Sequence, residues 1–130
     1  MKTENIRWIG WDYFENRVHF LIKQIKEYEK KENIQFTNIY GIPRGGLYLA
    51  VRLSYLLKKK LVTSKDEICK HTLIVDDCTN TGKTLSEYFN DNLKTVTLVH
   101  RIKSEIEPTF YGLTTEEKVN YFWEGESEIN

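Results

Sequence analysis

Residues 72–85 read TLIVDDCTNTGKTL, and the order of residue types in that stretch leaves few folds open. Leu73, Ile74 and Val75 form a short apolar run rich in β-branched residues, the pattern of a strand buried on both faces. Asp76 and Asp77 follow without a break, so two carboxylates stand at the carboxyl end of that strand. The polar segment Thr79, Asn80, Thr81, Gly82, Lys83 and Thr84 then turns the chain into a helix that opens near Thr84. The unpaired N–H groups and partial positive charge of a helix N-terminus together hold a phosphate. The hydroxyls of Thr79, Thr81 and Thr84 add donors, and Gly82 lets backbone approach closely. Acceptors for sugar hydroxyls or a metal thus lie a few residues from donors for a phosphate, and a phosphorylated sugar needs both.

Thr81-Gly82-Lys83-Thr84 also ends like a P-loop. That motif has Gly five residues before its second Gly, where this chain has Asp77, and a carboxylate there would repel a triphosphate. A plain strand, turn and helix with surface carboxylates leaves two adjacent, mutually repelling aspartates without a reason.

The rest of the chain surrounds this stretch with alternating elements. Ile6, Trp8 and Ile9 mark a short edge strand or an arm. Asp12 suits an N-cap, and Phe14, Val18, Leu21, Ile22, Ile25 and Tyr28 recur at spacings of three and four, predicting an amphipathic helix to about Lys31. His19 falls off that stripe and reads as surface, and the charged run 26–32 as a solvated helix end. Residues 36–42 read as a buried strand stopped by Pro43 and Gly45-Gly46, followed by a helix over 47–57 and a short strand at Leu61-Val62-Thr63. The central strand is expected over 72–77, its helix over 84–91, and another buried strand over 95–99. Val119, Tyr121 and Trp123 alternate like a strand, and Phe110, Tyr111, Phe122 and Trp123 make an aromatic-rich patch. Core packing of a small domain is the favoured reading of that patch, and a lid that stacks a flat base is the other. Strand–helix–strand alternation predicts an α/β fold, a parallel sheet flanked by helices, which binds ligands beyond the carboxyl ends of its strands. Arg44, Asp76, Asp77 and Arg101 all fall there.

With 130 residues, the chain reads as a single domain over 1–130. Nineteen basic and nineteen acidic side chains balance, so no electrostatic footprint for nucleic acid or a membrane surface exists. The basic run Lys58-Lys59-Lys60 is explained by the C-terminal dipole of the helix before it. Cys69 and Cys78 show no metal or redox spacing and read as free thiols of a reducing cytoplasm. No apolar run reaches membrane-spanning length and no signal-peptide pattern opens the chain, so no membrane partner and a cytoplasmic location are expected.

The apolar run, the acidic pair and Thr-Gly-x-Thr resemble the phosphoribosyl-pyrophosphate (PRPP) signature of the type I phosphoribosyltransferases. Gly41-Ile42-Pro43-Arg44-Gly45-Gly46-Leu47 resembles that family's pyrophosphate loop, in the expected order and also after a strand. The likeness runs from about Trp11 to Trp123 and is strongest to the small bacterial xanthine–guanine enzymes. It implies a Rossmann-like core and a Mg²⁺-dependent glycosyltransferase that moves 5-phosphoribosyl from PRPP to a purine-like base, releasing pyrophosphate, as in purine salvage. Asp76 and Asp77 would bind the ribose hydroxyls, directly or through the metal, and residues Cys78, Thr79, Asn80, Thr81, Gly82, Lys83 and Thr84 would cradle the 5-phosphate. Arg44 with the Gly45 and Gly46 amides would take the pyrophosphate, and Arg101, Val119 and Trp123 would face the base. A non-proline cis peptide often occurs in the family's loop, here expected at Arg44–Gly45, and the family commonly forms homodimers.

Four departures from the family pattern bear on function. Asn80 stands where purine-using members have Asp, so proton transfer to or from the base is lost at that position and Asn80 can only hydrogen-bond. Arg101 replaces a Lys that contacts a 6-oxo group. Lys118 and Val119 occupy the place of a base-stacking aromatic. Residues 58–71, fourteen in all, replace a long flexible loop and its strands, which leaves a reduced hood and no lid of the family's kind. The competing reading is a PRPP- or nucleotide-binding regulatory protein with weak or no transferase activity.

Overall fold

The computed structural model describes residues 5–79, 83–89 and 92–125. Strand β1 (Ile6–Ile9) leads into helix α1 (Trp11–Glu32), then β2 (Asn38–Gly41), α2 (Gly45–Leu57) and β3 (Lys60–Val62). A 3-10 turn at Lys65–Glu67 precedes β4 (Thr72–Thr79), α3 (Lys83–Phe89), β5 (Lys94–His100), β6 (Phe110–Thr114) and β7 (Lys118–Tyr121). Strands β3, β2, β4, β5 and β6 lie side by side in that order, every pair parallel, with β4 in the centre. The sheet order reverses direction between β2 and β4, which puts the crevice at a topological switch point beside the acidic pair. No described helix is long and apolar enough to cross a membrane.

The period-3.6 stripe of α1 is realised: Phe14, Val18, Leu21, Ile22 and Ile25 are buried. On α2, Leu49, Ala50 and Leu53 face the sheet. Leu73, Val75, Val96 and Leu98 meet these residues in the core, while Ile74 joins Tyr40, Val62, Leu85 and Tyr88 on the opposite face. Burial of consecutive residues of β4 on both faces explains its unbroken apolar run.

β1 and β7 form a separate parallel two-stranded sheet, the hood. Ile6–Ile9 therefore make a strand and not an arm. Trp123 sits in an aromatic cluster beneath the hood, with ring centroids 4.7 Å from Tyr48 and 4.5 Å from Tyr121, both near-parallel, and 5.4 Å from Phe14.

Several expectations are corrected. Helix α1 starts at Trp11 with Gly10 at the N-cap, so Asp12 lies in its first turn. Helix α2 starts at Gly45, two residues early, because only glycine fits where it crosses the sheet. A Cβ on Gly46 would lie 2.4 Å from the Val75 carbonyl oxygen, and one on Gly41 2.7 Å from the Ala50 methyl. Strand β4 runs on to Thr79, because Cys78 and Thr79 pair with Val99 and His100. Phe110–Thr114 is a strand that alternation did not announce. The cis peptide is Pro43–Arg44, one bond before the expected one. Glu29 and Lys59 are not solvated helix-end charges: Lys59 Nζ lies 3.0 Å from Glu29 Oε2 and donates to the Phe36 carbonyl, while Glu29 accepts the Phe36 N–H at 2.8 Å.

Candidate active site

A cavity of 370 Å³ opens beyond the carboxyl ends of β2 and β4. Ile42, Pro43, Arg44 and Gly45 line one side, and Asp76, Asp77, Cys78 and Thr79 the floor. Thr84 and Leu85 of α3 close the far side. The two motifs read from the sequence, thirty residues apart, therefore share one cavity. They touch: a Cβ on Gly45 would stand 2.2 Å from Asp77 Oδ2, so the loop backbone lies directly against that carboxylate.

Asp76 is 9% exposed. Burial, then the hydrogen bond and charge of Asp77, hold its carboxyl well above the usual carboxylate range, although Oδ1 also accepts the Asp77 N–H at 2.8 Å. The Tyr121 hydroxyl donates to the Asp77 carbonyl at 3.1 Å, fastening β7 to the floor, and burial holds that phenol protonated far above its ordinary range. Burial pushes the Cys78 thiol up to about 11, against the lowering effect of Arg101. Behind the floor, Thr79 Oγ1 and His100 Nδ1 share a hydrogen bond of 2.9 Å, and the Arg101 N–H approaches the Thr79 carbonyl at 3.4 Å.

The structure brings Arg44, Gly45, Asp76, Asp77, Cys78, Thr79 and Thr84 together around the cavity. Lys83 is the exposed first residue of α3, and Asn80, Thr81 and Gly82 lie outside the described residues. Gly46 has a different part from the one expected. Its N–H donates to the Ile42 carbonyl at 3.0 Å, so it packs α2 against β4 while Gly45 borders the cavity. Arg101, Val119 and Trp123 are absent from the described cavity lining. Arg101 Nη1 donates to the Thr115 and Glu117 carbonyls, Val119 packs against the core, and Trp123 lies in the aromatic cluster. Sequence reasoning missed the Tyr121 anchor, although it read Val119, Tyr121 and Trp123 as alternating along a strand.

The donor set suits one small divalent cation. Two adjacent carboxylates, one raised by burial and by its neighbour, gain from a nearby positive charge, and Mg²⁺ is commonly held by one or two carboxylates together with substrate oxygens and water. Among the described residues no cluster of three or more acidic, His or Cys ligands exists, so the remaining ligands would come from the substrate and solvent.

At the level of sequence, neither a family model nor a curated protein matches the chain. Solved structures do. The chain is similar to a purine phosphoribosyltransferase from Pyrococcus horikoshii, with TM-score 0.74 and 24% identity over 91% of this chain and 93% of that one. It is similar to the xanthine-guanine-hypoxanthine phosphoribosyltransferase of Helicobacter pylori, with TM-score 0.74 and 15% identity over 98% and 97%. A hypothetical protein from Neisseria gonorrhoeae with bound ppGpp superposes at TM-score 0.78 with 15% identity over 96% and 92%. At these identities the likeness is one of fold. With its all-parallel sheet and its helices matching these neighbours along nearly the whole length, the chain has the type I phosphoribosyltransferase fold.

Proposed function

We propose that the protein is a Mg²⁺-dependent phosphoribosyltransferase that moves 5-phosphoribosyl from PRPP to a purine-like base and releases pyrophosphate. The observation that carries this reading is the single cavity shared by the acidic pair and the Arg44 loop. Such a transfer develops positive charge on the ribose and negative charge on the departing pyrophosphate. Asp76 and Asp77 hold the ribose hydroxyls and lie beside the developing cation. Arg44, exposed at the start of α2, offers the planar fork that matches a phosphate, and Gly45 beside it borders the cavity. Thr84 and the loop before it, with Asn80, Thr81 and Gly82, receive the 5-phosphate. Mg²⁺ bound at Asp76 and Asp77 would supply charge neutralisation for the pyrophosphate. The names of the neighbours support a purine-like acceptor.

The same reading includes a homodimer. Helix α2 exposes Tyr48, Val51 and Tyr55, the last 74% exposed, on the face away from the sheet. It also includes a reducing cytoplasm, in which Cys69 and Cys78 stay reduced. The test is a panel of bases with PRPP and Mg²⁺, following pyrophosphate release. Release that depends on a purine supports the transferase.

One observation favours a second reading, a nucleotide-binding regulatory protein. The Neisseria neighbour holds ppGpp, whose diphosphates suit an Arg44-type loop, and Asn80 cannot titrate. PRPP or ppGpp binding without turnover of any base would decide for it.

A further inference from the structure

Among the described residues, the buried threonines are Thr72, Thr79, Thr95 and Thr97. The hydroxyls of the first three have partners. Thr72 Oγ1 donates to Asn38 Oδ1, Thr79 Oγ1 shares a bond with His100 Nδ1, and Thr95 Oγ1 accepts the Thr109 N–H at 3.1 Å. Thr97 Oγ1 has none, and among the described residues no other fully buried side-chain nitrogen or oxygen is left so. A buried hydroxyl without a partner is costly, whereas a methyl in the same space is not, so packing alone would favour Val at this position. Thr97 lies in the middle of β5, and its register partner on β4 is Asp76. Paired residues of adjacent parallel strands stand about 4.8 Å apart and project to the same face. Val75, Val96 and Leu98, the neighbours of these two residues along their strands, belong to the core on the α1 and α2 side. Asp76 and Thr97 therefore share the opposite face, that of Ile74 and Leu85. Asp76 stands at the cavity floor, and Thr97 lies beside it, fully buried and outside the described lining. The partners that Asp76 has come from Asp77: Oδ1 accepts the Asp77 N–H at 2.8 Å, and the carboxyl also bonds the Asp77 side chain.

We infer that Thr97 is a positioning residue for Asp76: its hydroxyl takes up the Asp76 carboxylate when the Asp77 side chain turns to a cation or to the sugar. The inference rests on the phosphoribosyl reading of the cavity and deepens it. A ligand that takes the Asp77 carboxylate competes with the bond between the two side chains. Once that bond is given up, one Asp76 oxygen needs a new donor, and the O–H on the adjoining strand supplies it by turning about a single side-chain bond. The bond so formed is charge-assisted, hence short and strong. It fixes one Asp76 oxygen and leaves the other toward the ribose hydroxyls. Thr97 touches no substrate and acts through Asp76 alone. The unpaired hydroxyl is thus a partner held ready for the liganded arrangement of the acidic pair.

Two measurements on the native protein, Thr97→Val and Thr97→Ser test this: thermal unfolding without ligand, and calorimetry with PRPP and with ribose 5-phosphate, each in Mg²⁺. Thr97→Val keeps the shape and removes the hydroxyl. Its Tm should be no lower than the native value and up to about 5 °C higher. Its affinity for both ligands should nevertheless fall about tenfold, the equivalent of one lost bond to a charged group. Thr97→Ser keeps the hydroxyl and lacks a methyl, so its Tm should fall while both affinities stay within about twofold of native. A merely structural role would move stability and affinity together. A Thr97→Val protein that binds both ligands as the native one does overturns the inference and leaves the phosphoribosyl reading standing. So does one that loses stability along with affinity or fails to fold, because the hydroxyl would then already have a partner in the fold. Loss of affinity in Thr97→Ser equal to that in Thr97→Val has the same consequence. Failure of both PRPP and ribose 5-phosphate to bind the native protein overturns the phosphoribosyl reading, and this inference with it.

Discussion

Replacing Asp76 with Asn should make the protein more stable at neutral pH and remove its ligand binding. Asp76 is 9% exposed and shares its surroundings with Asp77, so its carboxyl holds a proton well above the usual range. An unfolded Asp titrates near 3.9. From there up to the raised native value, the native state binds a proton that the unfolded chain has released, so stability falls as pH rises. One proton corresponds to about 1.4 kcal/mol per pH unit, hence roughly 2.7 kcal/mol between pH 5 and 7. Asn keeps the acceptor for the Asp77 N–H and has nothing to titrate. Thermal unfolding of both proteins from pH 5 to 7, without divalent cation, measures the difference. The native protein should lose roughly 10 °C in Tm relative to the variant over that interval. Mg²⁺ with PRPP should restore the native protein at pH 7 and leave the variant where it was. Parallel Tm curves for the two proteins would refute the argument, because they would mean that Asp76 carries no extra proton in the folded state.

The two glycines of the loop should separate stability from binding. Gly46→Ala places a methyl 2.4 Å from the Val75 carbonyl, backbone against backbone, and should cost about 3 kcal/mol in urea unfolding. Gly45→Ala meets only the Asp77 carboxylate, which can turn aside, so it should fold nearly as well and lose PRPP affinity in calorimetry. Arg44→Ala should weaken pyrophosphate and PRPP by about 1.5–3 kcal/mol and a nucleoside monophosphate much less; equal losses would remove Arg44 from that role. Asn80→Asp should raise kcat with purines toward the roughly 10²–10⁴-fold typical of general acid–base help, and add a new pH dependence. An unchanged rate and pH profile in a protein that turns over purines would place Asn80 away from the proton.

What was legible in the sequence was local. The apolar run of β4, its carboxylates and the Pro43 to Gly46 loop each state their structure within a few residues, and the parallel sheet follows from their alternation. What was not legible depended on partners far along the chain. Nothing near Glu29 or Lys59 announces that the two meet in a largely buried pair, because each stands in a run of charges that reads as solvated. Gly46 reads as a loop donor until the sheet brings Val75 beneath it. Arg101 reads as a residue for the base, and only the turn at Thr115 to Glu117, placed by β6 and β7, shows where its fork points. β6 was missed because FYGLT is short, carries an internal glycine and buries its two faces unequally.

The hood joins the earliest and the latest strands of the fold. Lys118 donates its N–H to the Asn5 carbonyl, and Phe122 to that of Ile9. Closing so long a span has an entropic cost that the five-stranded sheet, built mostly from neighbouring segments, does not share. The five-stranded sheet can thus assemble while β7 is still being synthesised, and the strand that Tyr121 fastens to the acidic floor is added last. In the finished protein the same order runs backwards: two four-residue strands, clamped by Tyr121 and Arg101, are the unit that opens first on a rise in temperature or denaturant. Loss of ligand binding would then precede loss of the sheet, and a protein that still looks folded by its helices would already have an acidic floor released from its Tyr121 anchor.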